Sequence, residues 1–129
     1  MAQHNEIGKK GEDVAYFYLK NKNFTILDRN YNCRGGEIDI VARKNNKLYF
    51  IEVKTKKISS FNEIKDMSFR PENNISHEKR KRLLKAIKNY LNYKKIDEAK
   101  TEIEIMGIII FLNTERKQAK IKIYEKMIL

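Results

Sequence analysis

The sequence predicts an α/β fold, a three-layer sandwich in which a mixed sheet lies between helices. Two segments repeat apolar residues at helical spacing and five have strand character, in the order α-β-β-β-α-β-β. The second half of segment 102–112 is apolar on both faces, which places it centrally in a covered sheet. Two helices can then cover the two sides of one sheet.

Residues 5–21 read as the first helix, because Ile7, Gly11, Val14, Ala15, Tyr18 and Leu19 recur on one face. Gly8 and Gly11 fall in its first turns, and each costs about 1 kcal/mol relative to alanine. That cost implies a close backbone approach, to the sheet or to a phosphate. Residues 24–31 form a first strand, followed by a polar turn through Cys33-Arg34-Gly35.

Residues 36–43 and 48–56 are two further strands joined by Lys44-Asn45-Asn46-Lys47. Asn-Asn tolerates the positive φ that a type I′ hairpin turn needs. Centring the turn on Asn45 and Asn46 sets Asp39 opposite Glu52 and Glu37 opposite Lys54. Alternation then gives Glu37, Asp39, Glu52 and Lys54 one face, and Ile38, Ile40, Ala42, Ile51 and Val53 the other. Opposed Cβ atoms lie about 4.5–5.5 Å apart, so Asp39 and Glu52 repel unless a cation sits between them. A hard divalent ion with Lys54 beside it is the outline of a metal-dependent hydrolase site.

Residues 58–75 show neither period and hold the single proline, Pro71, so they read as a long loop. Ser76 offers an N-cap, with Glu78 in the first turn of a helix that runs to about Tyr93. Leu83, Leu84, Ile87, Tyr90 and Leu91 form its apolar stripe, and Lys79, Arg82, Lys85 and Lys88 its outer face. Residues 118–125 alternate as a last strand.

A chain of 129 residues fits one domain, 1–129, with a modest core. Charged residues make up 35% of it and its longest apolar run, 106–112, is far too short to span a bilayer, so no membrane role is expected. A single cysteine, Cys33, excludes an internal disulfide and fits a reducing cytoplasm. With only His4 and His77, a histidine zinc cluster is not expected. The net charge of +11 favours a polyanionic partner, nucleic acid first.

Several segments together carry a resemblance. They are Gly8-Lys9-Lys10-Gly11-Glu12, Leu27-Asp28-Arg29-Asn30, Gly36-Glu37-Ile38-Asp39, Phe50-Ile51-Glu52-Val53-Lys54-Thr55 and Lys79-Arg80-Lys81-Arg82-Leu83. Asp39 followed by Glu52-x-Lys54 resembles the PD-(D/E)xK nuclease superfamily, and the flanks are similar to its small bacterial YraN-like family. The resemblance covers nearly the whole chain. It implies a restriction endonuclease-like αβββαβ core, akin to the Holliday junction resolvases. Asp39, Glu52 and the Val53 carbonyl would hold Mg²⁺ or Mn²⁺. Lys54 would orient or help deprotonate the attacking water, and Glu12 would reach the site from the first helix.

Lys56 stands where the family usually has Arg; with Lys79, Arg82 and Lys85 it is expected at the phosphates of a nucleic acid, DNA before RNA. Glu102-Ile103-Glu104 replaces a usual Arg-Phe-Asp, and the loop before Lys79 is longer than usual. The expected function is a metal-dependent endonuclease on DNA, on branched or flapped structures, with a homodimer left open. The alternative is a module of nuclease descent that binds nucleic acid or a partner without cleaving.

Overall fold

The computed structural model describes residues 2–66 and 76–128. Helix α1 (Ala2–Asn21) leads into strands β1 (Thr25–Cys33), β2 (Gly36–Lys44) and β3 (Lys47–Lys57). Helix α2 (His77–Tyr93) then precedes β4 (Glu102–Asn113) and β5 (Gln118–Ile128). The element order is the expected one. The strands lie in the order β1-β2-β3-β4-β5, and all neighbours are antiparallel except β3 and β4, which are parallel. A parallel pair needs a crossover, and α2 lies within it.

The two helices cover opposite faces. On one, Ala15 and Leu19 of α1 pack with Ile40, Ile51, Val53, Met106, Ile108 and Ile110. On the other, Leu83, Ala86, Ile87 and Tyr90 of α2 pack with Ile38, Val41, Phe50 and Ile105. This is the three-layer α/β sandwich with the restriction endonuclease-like αβββαβ core. Strand β4 is buried from Ile103 to Asn113, as its two-sided apolar pattern requires. Its Glu104, only 8% exposed, lies 3.4 Å from the Lys47 ammonium, which offsets the cost of burying that carboxylate.

The β2–β3 hairpin has the expected turn, with Asn45 at φ 51° and Asn46 at φ 64°. Its register runs as anticipated from Lys44–Lys47 to Ile40–Ile51, where the ladder ends. Asp39 and Glu52 are therefore not a paired rung, and Glu37 is not paired with Lys54. The facial assignment of Ile38 also needs correction. Ile38 packs under α2 and Ile40 under α1, although strict alternation puts both on one side.

The cause lies across the β1–β2 ladder. Arg29 pairs with Ile40 and Tyr31 with Ile38, while Asn30 and Asp39 between them form no rung, and Asn30 has φ 52°. A left-handed residue in a strand breaks the alternation and turns the chain, and asparagine is one of the few types that tolerates it.

The region 58–75 is more ordered at its start than a long loop suggests. Ile58 is buried against Ile109 and Phe111, with Phe61 and Ile64 packed beside them, and Phe61–Asp66 forms a 3₁₀ helix. Glu63 accepts the Ser59 and Ser60 N–H groups at 2.6 and 2.8 Å. Pro71 and the rest of 67–75 lie outside the described residues. Ser76 caps α2 as expected, its side chain accepting the Lys79 N–H at 3.1 Å.

The two early glycines differ. A Cβ on Gly11 would sit 1.8 Å from Thr55 Oγ1, so α1 rests its backbone directly on β3. A Cβ on Gly8 meets nothing within 4 Å. Gly11→Ala therefore destabilises the protein by about 1–3 kcal/mol through overpacking, with partial rescue by Thr55→Ala. Gly8→Ala is expected to be neutral or stabilising, by up to about 1 kcal/mol of helix propensity. Denaturant unfolding of the variants checks both signs; equal effects at the two positions would refute the close approach.

Candidate active site

Beyond Ile40 and Ile51, β2 and β3 pair no further, and Asp39 reaches across to β3: the Val53 N–H donates to Asp39 Oδ2 at 2.7 Å. That bond uses a β3 backbone donor that regular β2–β3 pairing does not engage there. The fork thus brings the Asp39 carboxyl close enough to Glu52 for the two to interact directly. Glu52 is 3% exposed.

Two carboxylates this close and this buried cannot both ionise freely. Burial, and then the Asp39 charge, push the Glu52 carboxyl up to about 7, against the opposing pull of Lys79. Asp39 is also raised, chiefly by burial, although the Val53 N–H and the Lys79 charge hold it back. Glu12 reaches the same neighbourhood from α1. Its carboxyl is raised by burial and by the Asp39 charge, and Arg29 and a hydrogen bond from Asn30 partly offset this.

The cation on the pair is Lys79, whose ammonium lies 2.5 Å from Glu52 Oε1. Burial pulls Lys79 down, but the hydrogen bond to Glu52 and the Glu52, Asp39 and Glu37 charges leave it raised overall. Lys54 has the opposite setting. Burial, together with Lys56 and Lys79, lowers its pKa, which favours the neutral amine more than on an ordinary lysine. A cleft of about 240 Å³, lined by Glu37, Glu52, Ser76, Glu78, Lys79 and Arg82, opens beside the pair.

The structure thus gathers Glu12, Asp39, Glu52 and the buried Val53 around the fork, with Lys54 two residues beyond Glu52 on the same strand. The basic face of α2 is divided. Lys79 is on Glu52, the exposed Arg82 is 3.9 Å from Glu37, and the Lys85 side chain lies over the β1–β2 turn at Gly35. The helix comes this close because Gly36 has no side chain; a Cβ there would be 2.5 Å from the Arg82 carbonyl oxygen. Tyr31 and Phe61 are engaged internally: Tyr31 packs edge-on against Tyr90 and donates to Asn89, and Phe61 packs on the Ile58 cluster.

Sequence reasoning missed Asn30, which both kinks β1 and holds Glu12. The available signal was an asparagine inside a strand segment, a type disfavoured there unless φ is positive.

These positions fall within a wider similarity. Residues 11–110 match the model of the uncharacterised protein family UPF0102. The chain belongs to this family. A UPF0102 protein of Christiangramia forsetii is 33% identical over 122 residues, covering 95% of this chain and 92% of that one. One of Flavobacterium psychrophilum is 35% identical over 125 residues, 97% of this chain and 95% of that one. One of Flavobacterium johnsoniae is 39% identical over 97 residues, 75% and 73% of the two chains. The YraN-like resemblance is thereby borne out as family membership. Among the described residues, no helix is long and apolar enough to cross a membrane.

As they stand, no group of three or more His, Cys, Asp or Glu side chains among the described residues is placed to hold a metal ion. An open site is a different demand. Mg²⁺ binds through one or two carboxylates and keeps several waters. The Asp39–Glu52 pair offers two such carboxylates, with the Lys79 ammonium on Glu52. The donor set, hard oxygens without sulfur or imidazole, fits Mg²⁺ or Mn²⁺.

Proposed function

We propose that this UPF0102 protein is a metal-dependent endonuclease that hydrolyses phosphodiester bonds in DNA, with branched or flapped structures as the preferred substrate. The observation that carries the reading is the buried Asp39–Glu52 pair at the fork of β2 and β3, already drawing an ammonium onto itself. A carboxylate pair raised this far is costly without a cation, and such costs concentrate at functional sites.

In this reading Asp39, Glu52 and the Val53 carbonyl would hold Mg²⁺ or Mn²⁺. The ion supplies charge screening for an anionic substrate and a more acidic bound water. Lys54, whose pKa is lowered, would orient the attacking water and accept its proton. Glu12, with its raised carboxyl, takes or returns a proton at the edge of the site through the position Asn30 gives it. Lys56, Arg82 and Lys85 hold backbone phosphates and Lys79 joins them from the head of α2. Such contacts position a duplex without reading its sequence. The net charge of +11 is consistent with that mode.

The test is nicking of end-labelled branched and linear DNA with Mn²⁺ or Mg²⁺, with a chelator, and with Lys54→Ala as control. Expected are products from branched DNA that need the ion and that fall by about 10²-fold or more in Lys54→Ala, the scale of a lost acid–base group. Binding without any ion-dependent product would instead favour the non-cleaving module.

A further inference from the structure

We propose that Lys79 is the built-in competitor of the divalent ion: its ammonium holds the Asp39–Glu52 pair in the ion-free protein, and an ion loads by displacing it. This rests on the metal-site reading above and adds the step that sets how readily the site fills.

The contact is unlike an ordinary surface ion pair. Lys79 Nζ lies 2.5 Å from Glu52 Oε1, and that carboxylate side chain is only 4% exposed. Exposed pairs contribute little, because water serves either partner nearly as well. Here one partner is buried and has no such substitute, so Glu52 in its ionised form needs a cation beside it. The Asp39 and Glu37 charges also act on Lys79, which faces the whole acidic cluster rather than one residue.

An ammonium seated on Glu52 Oε1 occupies the lone pair and offsets the charge that a divalent ion would use there. Both would compete for Glu52 Oε1, and at hydrogen-bond range their like charges repel strongly. The surroundings are already cationic, since Lys56 and Lys79 both act on Lys54. Arrival of the ion therefore favours departure of Lys79.

The fold allows that departure at little cost. Lys79 is the third residue after the N-cap, and Ser76 fixes its backbone N–H at 3.1 Å. Only the side chain need move. It lines the cleft of about 240 Å³ that also holds Glu78, one residue back on the same helical turn. Lys79 can leave Glu52 and keep an acidic neighbour.

The experiment is calorimetric titration of Mn²⁺ into DNA-free protein at pH 8.5, with wild type, Lys79→Met, Lys79→Gln and Lys79→Arg. Thermal unfolding without the ion shows that each variant is folded. Displacing a charge-assisted hydrogen bond is the step removed, so Lys79→Met and Lys79→Gln should bind Mn²⁺ roughly tenfold tighter or better. Lys79→Arg keeps a cation on Glu52 and should stay near wild type. Unchanged or weaker Mn²⁺ binding in both Met and Gln variants overturns the proposal. Asp39→Asn separates the two levels. If it leaves wild-type Mn²⁺ binding intact, the metal-site reading falls and this inference with it. If it abolishes binding while the Lys79 variants bind like wild type, only the role of Lys79 falls.

Discussion

Asp39→Asn and Glu52→Gln should each reduce ion-dependent cleavage of branched DNA by about a thousandfold or more, to background, while DNA affinity holds or rises slightly. The two effects separate because the carboxylates and the phosphates carry the same sign. Each substitution removes a negative charge from a site that must accept a polyanion, so binding is not weakened. Cleavage collapses because an amide is a neutral, weaker ligand for a hard divalent ion, and the charge screening of the reacting phosphate goes with it. Asp39→Asn has a second cost. Asp39 takes the Val53 N–H at 2.7 Å, so the amide must present its oxygen there and turn its NH₂ toward Glu52. Glu12→Gln should lose less, because Glu12 approaches from α1 and touches the pair only through its charge on Asp39. Single-turnover cleavage and a parallel binding titration on one branched substrate give both numbers. Cleavage that survives in both strand variants would remove this pair from the chemistry.

How the site could be read in advance differs residue by residue. Local rules sufficed for the hairpin. Asn45-Asn46 demands positive φ and a two-residue turn sets the register as far as Ile40–Ile51, but Asp39 meets Glu52 through the fork beyond that rung and not as the opposed pair the register implies. Periodicity likewise sufficed for both helices and for buried β4. What periodicity could not supply was the break in it. Alternation assumes an unbroken pleat, and the turn at Asn30 and Asp39 puts Ile38 and Ile40 on opposite faces.

Lys79 illustrates the other limit. On its helix it belongs to a basic stripe, indistinguishable from Arg82 and Lys85. Only the tertiary placement of α2, seated on Gly36, decides that this one reaches Glu52. Sequence spacing therefore indicated which carboxylates meet, and not which cation meets them.

The carboxylate pair also predicts how stability depends on pH, whatever the substrate proves to be. The folded protein holds the Glu52 carboxyl at about 7, against an ordinary value of 4.5. A carboxyl raised on folding binds its proton more tightly in the folded state. Its favourable contribution is complete below about 4.5, the ordinary glutamate range, and is lost as pH climbs through about 7. Asp39 is shifted in the same direction and adds to the trend. Lys79 opposes the shift without reversing it, and its own raised pKa lies outside this window. Glu52→Gln has no proton to lose there. Without metal, the stability of Glu52→Gln relative to wild type should therefore rise from pH 5 to pH 8, by an amount on the order of 2 kcal/mol. For a chain of this size that is a change of several degrees in the Tm difference. Divalent ion should move the difference back in favour of wild type at pH 8. An ion that binds only the folded wild type stabilises it by about 2.7 kcal/mol at a hundredfold excess over Kd, and it should do little for Glu52→Gln. Thermal unfolding of the two proteins at pH 5 and 8, with and without Mn²⁺ at matched ionic strength, measures all four arms. A Tm difference that is flat with pH would show that Glu52 ionises normally in the fold. Equal Mn²⁺ responses would show that it is not a ligand. Titrating groups remote from the pair are common to both proteins and cancel in the difference, while Asp39 and Lys79, which feel the Glu52 charge, belong to the effect being measured.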